Sequence, residues 1–248
     1  MKWRIVELET HDAYFNMAID EAISEGIMNG SSPPTIRFYT WKPGAVSIGY
    51  FQSMKDEVNL ETCREFGIDV IRRWTGGGAV YHDAKGEITY SLIAPASLFP
   101  KNIIKSYEAI CGCIVDGLRT LRIDAVFSPV NDVLVGGKKI SGSAQTRRGG
   151  ILLQHGTVLY DTDLATMFSV LNVSRQKITD KMIHTAQERV TSISKHINAD
   201  KKDVYLALLR SFTKDKDYET GTWSENEIFR AKALAGQKYR TEEWSFLR

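Results

Sequence analysis

The sequence is short of the features that would place a protein in a membrane, on nucleic acid or in an oxidising compartment. It has only three cysteines, Cys63, Cys111 and Cys113. They cannot all pair, and Cys111 and Cys113 are too close on a helix to bridge each other, so no disulfide framework is expected and the expected setting is a reducing cytoplasm. No apolar run approaches the roughly 20 residues of a membrane span. The opening MKWRIVELETHDAYFN lacks the apolar middle of a secretion signal. The formal net charge is only +2, too small to make nucleic acid the main partner. Repeats, low-complexity segments and a convincing linker are missing too. His11, His82, His155, His184 and His196 form no metal-ligand spacing.

What remains is a soluble globular composition: 248 residues, 43% hydrophobic and 25% charged, enough to bury a core without staples. Alternating or short apolar runs predict strands over residues 3–8, 35–41, 45–50, 68–74, 88–94, 132–136, 139–144 and 151–160. Ile103, Tyr107, Ile110, Ile114, Leu118 and Leu121 recur at three- and four-residue steps, the signature of a helix with one buried stripe. A second helix is predicted over 15–28, entered from His11-Asp12 and closed near Asn29-Gly30. Helical patterns follow at 163–171, 202–212 and 225–234. Strands in the first two thirds and helices after them predict an α+β fold with mixed, largely antiparallel sheets and flanking helices, in a single domain over 1–248.

Two stretches carry the chemistry. In IRRWTGGGAVYHD, residues 71–83, three glycines follow a strand-like run. Such a turn leaves N–H groups bare and convergent, which suits an anion, although glycine runs also serve geometry alone. It is neither a Walker loop nor a dinucleotide fingerprint. Arg72 and Arg73 point to opposite faces of a strand, so at most one reaches a site beside the turn. In NDVLVGGKKISGSAQTRRGGILLQHGTVLY, residues 131–160, a tight glycine turn leads a lysine pair into a strand of small residues that leaves room for a ligand. Lys138 and Lys139 face opposite ways there, and the pattern alone does not say which points inward.

Together RRWTGGGAVYHD, ITYS, NDVLVGGKKISGSA and HGTVLY resemble the lipoate-protein ligase A and octanoyltransferase family, whose catalytic domain is similar to that of biotin-protein ligases. The resemblance runs from the MAIDEAI helix to about Tyr160 and continues more weakly through QERVTSI. It implies ATP-dependent activation of lipoate to lipoyl-adenylate, then acyl transfer to a lysine of an acceptor such as an E2 subunit or a glycine-cleavage H-type protein. By the same resemblance, Lys139 bridges the lipoyl carbonyl and the phosphate, and Arg73 contacts phosphate. Gly76, Gly77, Gly78, Ala79, Val80 and Tyr81 pack against the nucleotide. Asn131 and Asp132 match the ligases' N-D pair, with Asp132 a candidate ligand for Mg2+. Met17, Trp41 and His82 fall where the family lines its acyl pocket. Each has a plainer role open to it: core for Met17, the cap of an apolar edge for Trp41, a structural histidine for His82.

The rival within the family is octanoyl transfer from an acyl carrier protein through a cysteine thioester, which uses no ATP. Where its two branches place that cysteine, this chain reads DAVFSPVN and LNVS. Cys111 falls on the apolar stripe of its helix and Cys63 in a polar segment, so the ligase is expected, with a cysteine-independent amidotransferase or a non-catalytic lipoyl-domain binder as alternatives. The length leaves no room for the accessory C-terminal domain of many family ligases. A separate accessory protein therefore joins the expected partners.

Overall fold

The computed structural model describes residues 1–172 and 188–248. Its elements run β1 (Trp3–His11), α1 (Ala13–Met28), β2 (Thr35–Trp41), β3 (Ala45–Ile48), α2 (Met54–Glu57), α3 (Leu60–Glu65), β4 (Asp69–Arg72), β5 (Val80–His82) and β6 (Glu87–Pro95). Then come α4 (Ile103–Thr120), β7 (Ala125–Ser128), β8 (Asp132–Val135), β9 (Lys138–Arg148), β10 (Ile151–Leu159), α5 (Leu164–Val170), α6 (Lys201–Thr213), β11 (Tyr218–Thr220), α7 (Glu225–Leu234) and α8 (Glu242–Ser245).

Eight strands form one sheet in the order β11-β1-β2-β6-β10-β9-β8-β7, and β4-β3-β5 form a second. The pairs β11/β1, β1/β2 and β3/β4 are parallel and the others antiparallel. The mixed, largely antiparallel α+β plan is thus realised. Helix α1 is the crossover between parallel β1 and β2. It begins at Asp12, whose side chain accepts from the Phe15 N–H, and ends at Asn29, followed by Gly30 at φ +80°, as the sequence pattern predicts.

The large sheet is covered on both faces. Along β6, Ile88, Tyr90, Leu92 and Ala94 face one core with Ile110, Ile114 and Leu118 of α4. Ile93 joins the opposite core, where Met17, Ile19 and Ile23 of α1 pack. This alternation is the period of two that a strand imposes. Each large aliphatic side chain so buried contributes about 1.5–3 kcal/mol. The α1 side also carries buried polar residues. Arg37 Nε donates to Asp20 Oδ1 at 2.7 Å and Ser91 Oγ to Asp20 Oδ2 at 2.6 Å.

Strands β5 and β11 are too short to show a pattern, and the sequence reading contains neither these nor β7. The C-terminal helices fold back across α1 and β4. Arg4 pairs with Glu227 at 2.6 Å, Lys238 with Glu21 at 2.7 Å, and the Arg72 guanidinium donates to the Trp244 and Ser245 carbonyls. Among the described residues, no helix is long and apolar enough to cross a membrane. Of QERVTSI, Gln187 lies outside the described residues; Arg189, Val190 and Thr191 lie inside.

Candidate active site

A cavity of about 230 Å³ lies between the two sheets, at the flank of α1. Small residues make the room for it. A Cβ on Gly156 would come 2.5 Å from Ser143 Oγ and 2.9 Å from Tyr90 Cε1, so the strand behind the cavity packs this closely only with glycine there. Met17, Trp41, Arg73, Gly77, Gly78, Ala79, Val80, Tyr81, His82, Asn131 and Lys139 all contribute to the wall. The residues singled out in the sequence therefore converge on one space. Gly76 and Asp132 stand just behind it, Gly76 in the turn and Asp132 against Lys139.

The lysine's direction is set by a bulge. In β8/β9 the register shifts between Val133↔Ser141 and Leu134↔Lys139, so Ile140 is the extra residue. Residues three apart on a regular strand face opposite sides; the bulge reverses that parity and brings Lys139 over Gly142. A Cβ on Gly142 would lie 2.7 Å from Lys139 Nζ. The Lys139 backbone pairs instead with the 189–191 segment, its N–H donating to the Arg189 carbonyl at 2.8 Å and its carbonyl accepting from the Thr191 N–H at 2.9 Å. Lys138, its neighbour, is exposed.

In the glycine turn, Gly77 has φ +96°, in the region that favours glycine. A Cβ on Gly49 would meet the Gly77 carbonyl at 2.0 Å, whereas one on Gly76 or Gly78 would meet nothing within 4 Å. The turn thus leans on the second sheet from one side and borders open space on the other. The N–H groups of Gly76, Gly77 and Gly78 donate to no other described group. A row of bare amides beside a lysine suits an anion such as a polyphosphate.

The arginine pair divides as the alternation predicts: Arg72 pins the 49–52 loop and the C terminus, and Arg73 turns toward the site. Arg73 differs from its expected role in one respect. Rather than presenting free N–H groups to a phosphate, its buried guanidinium donates to Thr75 Oγ1, Ser47 O, Ser47 Oγ, Gly76 O and Gly78 O, which occupies all five. Burial pulls its pKa down to about 10, still high enough to keep the charge at neutral pH.

The apolar end of the cavity is built from Met17, Tyr39, Trp41, Leu159 and Met167, with His82 stacked on Trp41 at 3.9 Å between ring centroids. Asn131 also serves as a strand clamp, its side-chain amide donating to the Ser143 carbonyl at 2.5 Å. Asp132 stands against Lys139, and no group of three His, Cys, Asp or Glu that could hold a metal ion gathers among the described residues. One carboxylate beside bare amides fits Mg2+ held chiefly by substrate phosphates and water.

Sequence reasoning assigns His155 no role in the site. It is bonded internally, but it also lines the cavity. Burial holds its imidazole below the ordinary histidine range, against the pull of Asp20. Burial alone would raise the Asp20 carboxyl. The Arg37 guanidinium, with the His155 and Ser91 hydrogen bonds, outweighs burial and keeps it low.

None of the three cysteines lines the cavity. Cys111 is fully buried behind its wall, 3.6 Å from Ser143 Oγ and 3.7 Å from Gln154 Nε2, and burial pushes its thiol up to about 11.

Residues 12–213 match the family model of the lipoyl protein ligase A/B catalytic domain. The chain belongs to this family. Its similarity to curated members extends over almost the full length. An octanoyltransferase LipM of Lysinibacillus sphaericus is 35% identical over 261 residues, covering 94% of each chain. Among solved structures, a bi-partite lipoate protein ligase of Thermoplasma acidophilum, described with its E2 lipoyl domain, superposes with a TM-score of 0.90. It is 35% identical, with 99% of this chain and 96% of that one covered. A lipoate-protein ligase A bound with ATP superposes at 0.86 with 33% identity, covering 99% of both chains. The lipoyl ligase catalytic fold is therefore established, and family membership makes this chain an enzyme of lipoyl or octanoyl transfer to proteins.

Proposed function

We propose that this chain activates lipoate with ATP to lipoyl-adenylate and then transfers the lipoyl group to a lysine of a lipoyl-acceptor domain. The observation that carries this reading is a cavity wall with an ammonium and a bare-amide turn but no thiol. Joining a carboxylate to an α-phosphate brings two anions together. Lys139 offsets their repulsion, and the amides of Gly77 and Ala79 receive the phosphate charge, already oriented at the moment of reaction. When pyrophosphate leaves, the same ammonium polarises the acyl carbonyl for attack by the acceptor amine. Mg2+, held by Asp132 and the phosphates, would supply charge neutralisation to the leaving group. The apolar end takes the acyl chain. The acceptor is expected to be an E2-type or H-type lipoyl domain, and a separate accessory chain would complete the single catalytic domain over 1–248.

A second reading is octanoyl transfer from a carrier-protein thioester, which the name of the bacillary relatives favours. Its usual route needs a thiolate. A buried Cys111 thiol near 11 leaves roughly one thiolate in ten thousand at pH 7. Incubation with ATP, Mg2+, lipoate and a lipoyl domain, with and without a candidate accessory protein, separates the two, with adenylate and acyl-lysine scored independently by mass. Acyl-lysine formed from octanoyl carrier protein without ATP, with no adenylate in the ligase arm, would establish the rival. Lys139→Ala is expected to lower both half-reactions by about 100- to 1,000-fold.

A further inference from the structure

Arg73 is the meeting point of two hydrogen-bonded chains of the same composition. Its Nε donates to Thr75 Oγ1 at 3.1 Å; Thr75 Oγ1 lies 2.7 Å from His155 Nε2, and His155 Nδ1 lies 3.4 Å from Asp20 Oδ2. Its Nη1 donates to Ser47 Oγ at 3.3 Å; Ser47 Oγ lies 2.8 Å from His82 Nε2, and His82 Nδ1 lies 2.8 Å from Glu87 Oε1. All six partners are buried, and each chain reads hydroxyl, imidazole, carboxylate.

The donor directions follow from the chemistry of each group. Carboxylate oxygens accept, so Nδ1 of each imidazole carries its proton. Beside a buried guanidinium, the neutral ring is the form that adds no second cation. Each Nε2 is then bare, and the Thr75 and Ser47 hydroxyls donate into it. That leaves a hydroxyl lone pair facing Arg73. Carboxylate sets tautomer, tautomer sets hydroxyl, and hydroxyl sets guanidinium. Nη2 in turn draws in the Gly76 and Gly78 carbonyls, both at 2.7 Å. Across a trans peptide the N–H points opposite the carbonyl, and neither peptide is cis. The Gly77 and Ala79 amides are therefore turned away from Arg73.

We propose that Thr75, His155 and Asp20, with Ser47, His82 and Glu87, are positioning residues that aim Arg73 from two sides and so hold the glycine turn in its anion-receiving form. This rests on the ATP-dependent reading above. It explains why an arginine with no N–H to spare lies beneath a phosphate-type turn, and it gives His82 a role beyond the acyl pocket.

Thr75 does not line the cavity, which makes it the residue to test. Thr75→Val removes the hydroxyl at constant shape. The expected result is a KM for ATP raised at least tenfold while lipoate affinity without ATP stays within twofold, with Thr75→Ser restoring the KM. In protein labelled with 15N-histidine, long-range 1H–15N spectra should show both His82 and His155 as the Nδ1–H tautomer. In Thr75→Val the His155 Nε2 resonance alone should move. An Nε2–H tautomer at His155 in the wild type, or a wild-type ATP KM in Thr75→Val, overturns the proposal. If the wild type makes no adenylate, the ligase reading fails, and pyrophosphate titration still tests the turn. Gly77 and Ala79 amide shifts present in the wild type and lost in Thr75→Val support the proposal; no shift in the wild type, or equal shifts in both, overturns it.

Discussion

Lys139 Nζ stands 2.7 Å from Asp132 Oδ1, yet the contact is an ion pair without hydrogen-bond alignment, and that oxygen has no hydrogen-bond donor. With side chains 42% and 32% exposed, the pair adds little to stability, about 0–1 kcal/mol. Its effect is directional. The carboxylate keeps the ammonium over Gly142 while leaving its N–H groups free to turn toward a substrate. Asp132→Asn should leave the melting temperature nearly unchanged and slow adenylation about tenfold, roughly 1.4 kcal/mol of barrier. A single-turnover assay of pyrophosphate release reads this directly, and a wild-type rate would remove Asp132 from the reaction.

Gly142 makes a sharper test of the same geometry. A methyl group there overlaps Lys139 Cε at 2.6 Å and Nζ at 2.7 Å. The far end of a lysine moves easily, so the fold should survive and the ammonium should not stay in place. Gly142→Ala is expected to retain a wild-type circular dichroism spectrum while losing at least about tenfold in kcat. A fully active Gly142→Ala would show that the ammonium position is not what the reaction needs.

Much of this was legible in the sequence, for reasons that also explain what was not. The α4 stripe, the Asp12 cap and the alternation along β6 are local patterns. So are the glycine turn and the KISGSA strand, and their residues do meet at one cavity. The orientation of Lys139 depends on a bulge, a relation between two strands that no single-strand period contains. The Asp20, Arg37, Thr75, Ser91 and His155 cluster draws on five separate segments, and each member read alone is an ordinary polar residue. Strands β5 and β11, three residues each, are set by their neighbours rather than by a pattern of their own.

The cysteines allow the two acyl-transfer routes to be separated by substitution. Cys63 sits in the small core beside Val46 and Met54, and Cys111 in the main core. Burial pushes each of these thiols up to about 11. A Cys63→Ala, Cys111→Ala, Cys113→Ser variant should lose about 1–3 kcal/mol of stability from the small voids and the lost Ser143 contact. Its ATP-dependent lipoylation should stay within about threefold of wild type at 25 °C. Loss of acyl transfer in a folded variant, or an acyl-thioester on Cys111 in the wild type, would favour the transferase.

Stability should fall on mild acidification, and His155 sets the window. Its folded pKa lies below the ordinary 6.5 because burial disfavours the imidazolium. Between those two values the unfolded chain binds a proton that the folded chain does not, so unfolding becomes easier as pH drops. The contribution is complete above about pH 6.5 and is lost progressively below it, with a limiting slope of about 1.4 kcal/mol per pH unit for one proton. Asp20, held below the usual carboxylate value of 3.8, adds a second loss only when the pH falls through that lower range. Urea unfolding at pH 7.5, 6 and 5 should therefore show a decline in the wild type. His155→Gln, which cannot titrate, starts from a lower stability and should show a shallower decline over the same interval. Parallel curves for the two proteins would mean that another group carries the acid sensitivity and that His155 is not held neutral in the fold.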